Sequence, residues 1–443
     1  MEELKKTAAF ALETLKALGA DDAQVSVVRG DVEEYNVDAG EFSLIRTVFS
    51  QSISMKVIKD HKKGTVAVNR LDEDAIRTAA AECMDAAESG AADEAVAIAE
   101  KEENADFTDG ALTPDKAKFF DSLITFTEDL KKEFPEIMLE QMVASYSGGK
   151  HVFANSNGVL FTEHDGSYSV SVMYSAHREG VATSFNYFDL ETTDPGARLM
   201  DLGMCRTQFR RAVEELDAVP FEGKFLGTAV FAPGCMDDVI SVITGAFTGD
   251  YALIEGTSPW KEKLGQTVAS PAFTLSVIPD DPRIVCGEKF TVDGYRSENY
   301  DVIKDGVLQA FCLSDYGARK TGGKRAPSTS GAVEVKAGTK PLDALLADIE
   351  NGILVCRFSG GEPASNGDFS GVAKNSFLIK NGKLAGALSE TMISGNFAAM
   401  LQHIRGISSD VLCDGGCVLP YVAFDGVTVS GKTDGGDGED DGE

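Results

Sequence analysis

The sequence predicts an α+β fold in which two N-terminal units of strand runs and helices precede a large, mostly antiparallel β-barrel or sandwich. Residues 1–222 read twice as a run of antiparallel strands followed by a helix, without the strict alternation of a doubly wound sheet. From residue 223 onward glycine rises, helices become rare and short β runs recur. The 443 residues also exceed one ordinary core of about 100–200 residues. The expected organisation is a first α+β unit over 1–110, a second over 111–222, a β-rich domain over 223–430 and a disordered acidic tail over 431–443.

The elements follow from local pattern. Leu4, Ala8, Ala11, Leu15 and Leu18 share one face of a helix over 2–18, which Gly19 stops. Strands are expected at 24–28, 43–48, 52–59 and 65–68, with a tight turn over 60–64. Asp72 opens a helix buried through Ile76, Ala80, Cys83 and Ala87, and 88–110 reads as a connection. Thr113-Pro114 starts a helix running to Phe134. Strands at 138–146, 152–154, 159–162, 168–175 and 181–188 precede a helix over 194–216. In the last domain Asp305-Gly306 and Asn381-Gly382 are the strongest hairpin signals, and helices are expected only at 236–247, 342–349 and 396–404.

Composition narrows the partners. Lys+Arg 41 against Asp+Glu 71 gives a net charge of −30, which repels phosphate backbones and anionic lipid; no nucleic acid or membrane partner is expected. No segment approaches the roughly 20 apolar residues of a membrane span, and the first residues form an amphipathic, acidic helix rather than a secretory leader. Eight cysteines, only Cys413 and Cys417 of them close, fit thiols in a reducing cytoplasm.

Several motifs fail on context. Gly426-Val-Thr-Val-Ser-Gly431-Lys432-Thr433 matches a phosphate loop, but Asp434-Gly435-Gly436-Asp437 cannot supply the helix whose amides would hold phosphate. Gly367-Asp368-Phe369-Ser370-Gly371 lacks the spacing of a nucleophile elbow. No pair of histidines brackets a glutamate on one helix face as a zinc peptidase requires, and even spacing of His151, His164 and His177 does not by itself converge three imidazoles.

Two segments are denser in chemistry than a scaffold needs. A Gly-rich loop over 313–325 gathers Arg319, Lys320, Lys324 and Arg325 in an acidic chain, and a guanidinium fork there could hold a substrate carboxylate. The other is Gly367-Asp368-Phe369-Ser370 with Ile393-Ser394-Gly395-Asn396. Arg319, Lys320, Lys324, Asp368, Ser370 and Asn396 are therefore the candidate contacts to substrate or partner.

With Lys63-Gly64-Thr65-Val66-Ala67, Val152-Phe153-Ala154-Asn155-Ser156-Asn157-Gly158, Asp301–Leu308 and Ser314–Lys320, these segments resemble the TldD/PmbA family, in its PmbA (TldE) branch, over nearly the whole chain. The family has carried the name modulator of DNA gyrase. The resemblance implies a cytoplasmic two-subunit peptidase in which a TldD subunit holds zinc through a His-Glu-x-x-x-His helix and a downstream cysteine. The position matching that helix here is Ile240-Ser241-Val242-Ile243-Thr244-Gly245, without histidine or glutamate. The expectation is thus a chain without catalytic or metal residues of its own, paired with a zinc-holding TldD-like subunit and acting on unstructured peptide. Two other readings stand beside it: a homodimeric peptide-binding protein without activity, and an independent hydrolase using His151, His164 or His177.

Overall fold

The computed structural model describes residues 1–360, 363–389 and 391–431. Of the tail expected over 431–443, all but Gly431 lies outside the described residues. The first half comprises α1 (Glu2–Ala17), β1 (Asp22–Asp38), β2 (Glu41–Lys59), β3 (Lys62–Val68), α2 (Glu73–Ser89), β4 (Ala105–Thr108), α3 (Lys116–Glu133), β5 (Ile137–Asn155), β6 (Leu160–Arg178), β7 (Val181–Ala182), β8 (Asn186–Thr192) and α4 (Cys205–Glu214). Its strands form one eight-stranded sheet in the order β3-β2-β1-β5-β6-β4, with β7 and β8 also on β6.

The two N-terminal units therefore share a sheet, joined by fifteen consecutive β1–β5 register pairs. Val25 and Val27 of β1 pack under α1 and α2, whereas Tyr35 and Val37 of the same strand pack under α3 and α4. All four have the same parity, so both cores lie on one sheet face. They meet at a row of glycines where Gly30 pairs with Gly149, and Gly148 with Gly166. Residues without side chains bury nothing, so the row divides the apolar pattern. The connecting segment crosses there: a Cβ on Gly166 would stand 2.0 Å from the Ala111 carbonyl oxygen.

Several local expectations need correction. The pieces read at 24–28, 43–48 and 52–59 are two long strands, because exposed stretches such as 43–51 keep pairing without an apolar alternation to announce it. The connection 88–110 contains β4, parallel to β6. The helix expected from Thr113-Pro114 is capped instead by Asp115, whose Oδ1 accepts the Lys118 N–H at 3.1 Å. The helix over 194–216 is broken by Gly203 at φ +53°, leaving a short turn and α4.

The second half holds β9 (Val219–Pro220), β10 (Lys224–Phe231), α5 (Met236–Ser241), α6 (Asp250–Ile254), β11 (Leu275–Val277), β12 (Tyr300–Lys304), β13 (Val307–Leu308), α7 (Asp315–Thr321), β14 (Val333–Val335) and α8 (Leu342–Leu346). It ends with β15 (Asn351–Gly360), β16 (Asp368–Lys380), β17 (Lys383–Ser389), β18 (Thr391–Asn396), α9 (Phe397–Gln402), β19 (Ile404–Cys413) and β20 (Val418–Ser430). β18 pairs with both β16 and β20, and β20-β10-β15-β16 are consecutive neighbours, so these five strands close a barrel. The expected α+β class with a β-barrel domain is what the chain adopts. Phe231, Phe247, Phe273, Phe369, Phe397 and Phe424 are in its core, Phe369 and Phe397 stacked at 4.2 Å between centroids. Both hairpin signals hold: Asp305-Gly306 and Asn381-Gly382 have positive φ at each residue, as a two-residue turn with right-handed strand twist demands. The phosphate-loop match lies in strand from Gly426 to Ser430, with Lys432 and Thr433 outside the described residues.

Candidate functional site

A cleft of about 300 Å³ opens between the sheet of the first half and the barrel. Its walls come from β8, α4, the start of α5, β15, β16 and the β19–β20 turn. Chain entering α5 turns once over Pro233–Cys235, which aims Asp237 and Asp238 at the cleft. On the wall formed by α4, Arg211 lies over the Tyr421 ring at 5.2 Å. Arg357 donates through Nη2 to Ser184 Oγ at 2.9 Å and through Nη1 to the Phe185 carbonyl oxygen. Its Nε is buried and has no acceptor among the described residues.

Electrostatics follow from this enclosure. Asp237 faces the cleft solvent, yet the surrounding protein, then Asp414 and Asp238, raise its carboxyl to about 6. Burial alone raises Asp238. Behind the wall, burial raises Glu215 to about 7 against the opposing N–H of Asn375, 3.2 Å away. Asn375 has φ +48° inside β16, a left-handed residue that turns its N–H toward Glu215. Burial pushes the thiol of Cys356 in the cleft wall upward, as it does those of Cys235 and Cys417, which disfavours the thiolate.

The segment matched to a metal helix does not fit zinc. Ile240, Val242 and Ile243 are buried, and Thr244 spends its hydroxyl on the Ile240 carbonyl at 2.9 Å. From Val242 the helix widens into a π-turn, in which Thr248 Oγ1 reaches back to the Ile243 carbonyl at 2.6 Å. Among the described residues no three His, Cys, Asp or Glu side chains converge as a metal site would require. His151 Nε2 lies 2.7 Å from Ser26 Oγ, against the Phe290 ring, and burial lowers it to about 4. His177 bonds Ser175 at 2.7 Å, and His164 faces Lys150 across the β5–β6 ladder.

None of the six residues singled out from the sequence lines the cleft. They fall into two groups. The segment 313–325, expected as a loop, is mostly α7, capped by Ser314 and ended by Gly322 at φ +71°. On it Arg319 Nε donates to Asp315 Oδ2 at 2.9 Å, and Asp315 also accepts the Tyr295 hydroxyl at 3.2 Å. Lys320 pairs with Asp93 at 2.9 Å, whose carboxyl is held down to about 2 by the Ala95 N–H and by Lys320. Lys324, beyond the helix, is exposed. The other group is one hydrogen-bonded corner: Asp368 accepts both Asn396 and Asn366 side chains at 2.8 Å, and Asn396 caps α9 through the Ala399 N–H at 2.9 Å. Ser370, opposite Ser394, is exposed beside it. Arg319→Ala is expected to cost about 1–2 kcal/mol, because it strips a charge-assisted bond from a nearly buried Asp315. An unchanged melting temperature in that variant would show that the pair contributes nothing.

Sequence reasoning missed Arg211, Asp237, Asp238 and Asp414. The only local signal was Asp237-Asp238 beginning four residues after Pro233, which reads equally as ordinary acids in a first helical turn.

Comparison with known proteins agrees with this architecture. Residues 223–431 match the PmbA/TldA metallopeptidase C-terminal domain, and 23–99 match PmbA/TldA metallopeptidase domain 1. The chain is 22% identical to a metalloprotease PmbA homolog of Haemophilus influenzae, over 97% of each chain. It is 24% identical to metalloprotease PmbA of Escherichia coli O157:H7, over 92% of each. The crystal structure of TldE from Thermococcus kodakarensis superposes with a TM-score of 0.82 at 18% identity, over 97% of this chain and 100% of that one.

Proposed function

This chain belongs to the PmbA/TldD family, and from that membership we propose that it is the noncatalytic subunit of a two-subunit zinc metallopeptidase acting on unstructured peptide. The observation that carries the reading is the segment Ile240–Gly245, apolar and hydroxylic where a catalytic subunit would present zinc donors. Zinc and the peptide-cleaving chemistry then belong to a TldD-like partner, and this chain contributes enclosure and peptide contacts.

One edge suits main-chain recognition. Among the described residues β3 pairs only with Ile53–Lys59 of β2, so the preceding stretch of β2 bonds β1 on one side alone. Ile45 and Phe49 project from that stretch, 61% and 77% exposed. A free edge with apolar side chains invites an added strand, and backbone bonds tolerate many sequences. No helix among the described residues is long and apolar enough to cross a membrane.

The test is purification with and without a co-expressed TldD-like chain, followed by zinc analysis and cleavage of an unfolded peptide. The expected result is little zinc and no cleavage from this chain alone, with both properties present in the co-purified pair. Near-stoichiometric zinc and cleavage by the single chain would overturn the proposal.

A further inference from the structure

The cleft contains charges of both signs that the fold does not pair with each other. Among the described residues ten of the fifteen arginines pair with a carboxylate, as Arg206 does with Glu133 and Asp201. Arg211 and Arg357 form no ion pair among the described residues, though four aspartates line the same cleft. Asp237 and Asp238 likewise accept no side-chain hydrogen bond and join no ion pair among those residues. Asp414 accepts the Gly416 and Cys417 N–H groups on Oδ1 at 2.9 and 3.0 Å, and the Cys417 thiol lies 3.6 Å from both of its oxygens.

A charge in a cleft that the surrounding protein partly desolvates gains from a partner of opposite sign, which a ligand can supply. Arg211 belongs to α4 of the first half and the two aspartates to α5 of the second. Asp189 on β8 and Arg357 on β15 put the opposite sign on each side as well, while Arg211 and the Asp237–Asp238 pair reach the cleft from different elements of the scaffold. The cleft volume, about 300 Å³, sits at the lower end of the range for small-molecule sites, roughly 300–1,000 Å³. Between the charged walls lie apolar side chains such as Phe188 and Phe358.

We propose that this cleft binds a small zwitterion, a dipeptide with both ends free, its carboxylate on the Arg211 guanidinium and its ammonium between Asp237 and Asp238. The guanidinium fork matches a carboxylate in plane, and Tyr421 beneath it fixes that plane. The aspartates offer an ammonium several acceptors, and a cation beside Asp237 favours the charged carboxylate that burial and the neighbouring aspartates disfavour. This deepens the proposed role, on which it rests for the source of the ligand: short peptides are what a peptidase complex releases.

The test is titration calorimetry of the intact chain, without any partner, against alanyl-leucine, N-acetyl-alanyl-leucine and alanyl-leucinamide. The expected result is saturable binding of the free dipeptide, weakened about tenfold or more by blocking either end. Arg211→Gln should remove the preference for a free carboxylate, and Asp237→Asn the preference for a free amine and the decline of binding below about pH 6. Should Arg211→Gln fail to fold, the amidated ligand on the unmodified chain still tests that wall. No saturable binding of alanyl-leucine, or equal binding of the blocked forms, overturns the site. Either result with cleavage by the two-chain complex intact sinks the site and leaves the subunit role standing; dipeptide binding without any cleavage by the complex does the reverse.

Discussion

Gly64→Ala should lower the melting temperature by about 5 °C or more, through a stability loss on the order of 3 kcal/mol. Gly64 lies in β3, where α2 crosses the strand. A Cβ there would stand 2.0 Å from the Cys83 carbonyl oxygen, 2.7 Å from the Ala87 nitrogen and 3.1 Å from the Ala87 Cβ. Two of those atoms are helix backbone, which no rotamer change can move aside. The whole helix must retreat, opening the packing of Ile76, Ala80, Cys83 and Ala87 against Val25, Ile53 and Val57. Gly331→Ala is the control, since an added Cβ meets nothing within 4 Å and the backbone needs no positive φ. It should change stability by no more than about 0.5 kcal/mol. Equal melting temperatures for the two variants would sink the close-approach argument.

Glu215→Gln should stabilise the protein above neutral pH and leave it nearly unchanged near pH 5. Burial raises the folded-state carboxyl to about 7, whereas the unfolded chain titrates near 4.3. The native state therefore holds a proton that the unfolded state has released. Stability from this group is present at low pH and lost as pH rises through about 7. Glutamine keeps the shape, carries no charge and does not titrate, so the advantage of the variant should grow from pH 5 to pH 8.5, to on the order of 2 kcal/mol. Glu163, raised to about 7, and Asp237, raised to about 6, act with the same sign, so the slope should diminish rather than vanish. The check is thermal unfolding of both proteins across that pH range. An advantage independent of pH would mean that Glu215 is not the titrating group.

What was legible in the sequence is what neighbours along the chain decide. Leu4, Ala8, Ala11 and Leu15 announce α1 because three- and four-residue spacing puts them on one face, and all four are buried. Asp305-Gly306 and Asn381-Gly382 announce hairpins because left-handed backbone is a local requirement. The motif around Gly64 was readable as a resemblance, but its reason was not: the atoms that exclude a side chain come from residues 83 and 87. The long strands β1 and β2 read as fragments, since ladder bonds through exposed stretches leave no apolar signature. The basic segment 313–325 reads as a loop because its glycines look like breaks, when Gly317 makes room for Asp250 and Gly322 ends α7.

By itself, then, the sequence determined the α+β class, the barrel domain, the strong turns and, through its motifs, the family; each rests on interactions a few residues long or on the order of such blocks. The tertiary structure alone decided that the two N-terminal units share one sheet, that Lys320 answers to Asp93, and that Arg211 faces the same cleft as Asp237 and Asp414. The physical reason is range. A helix face or a turn is set within about four residues, whereas a charge left without a partner is a property of everything packed around it, and the walls of this cleft come from segments between Tyr174 and Tyr421.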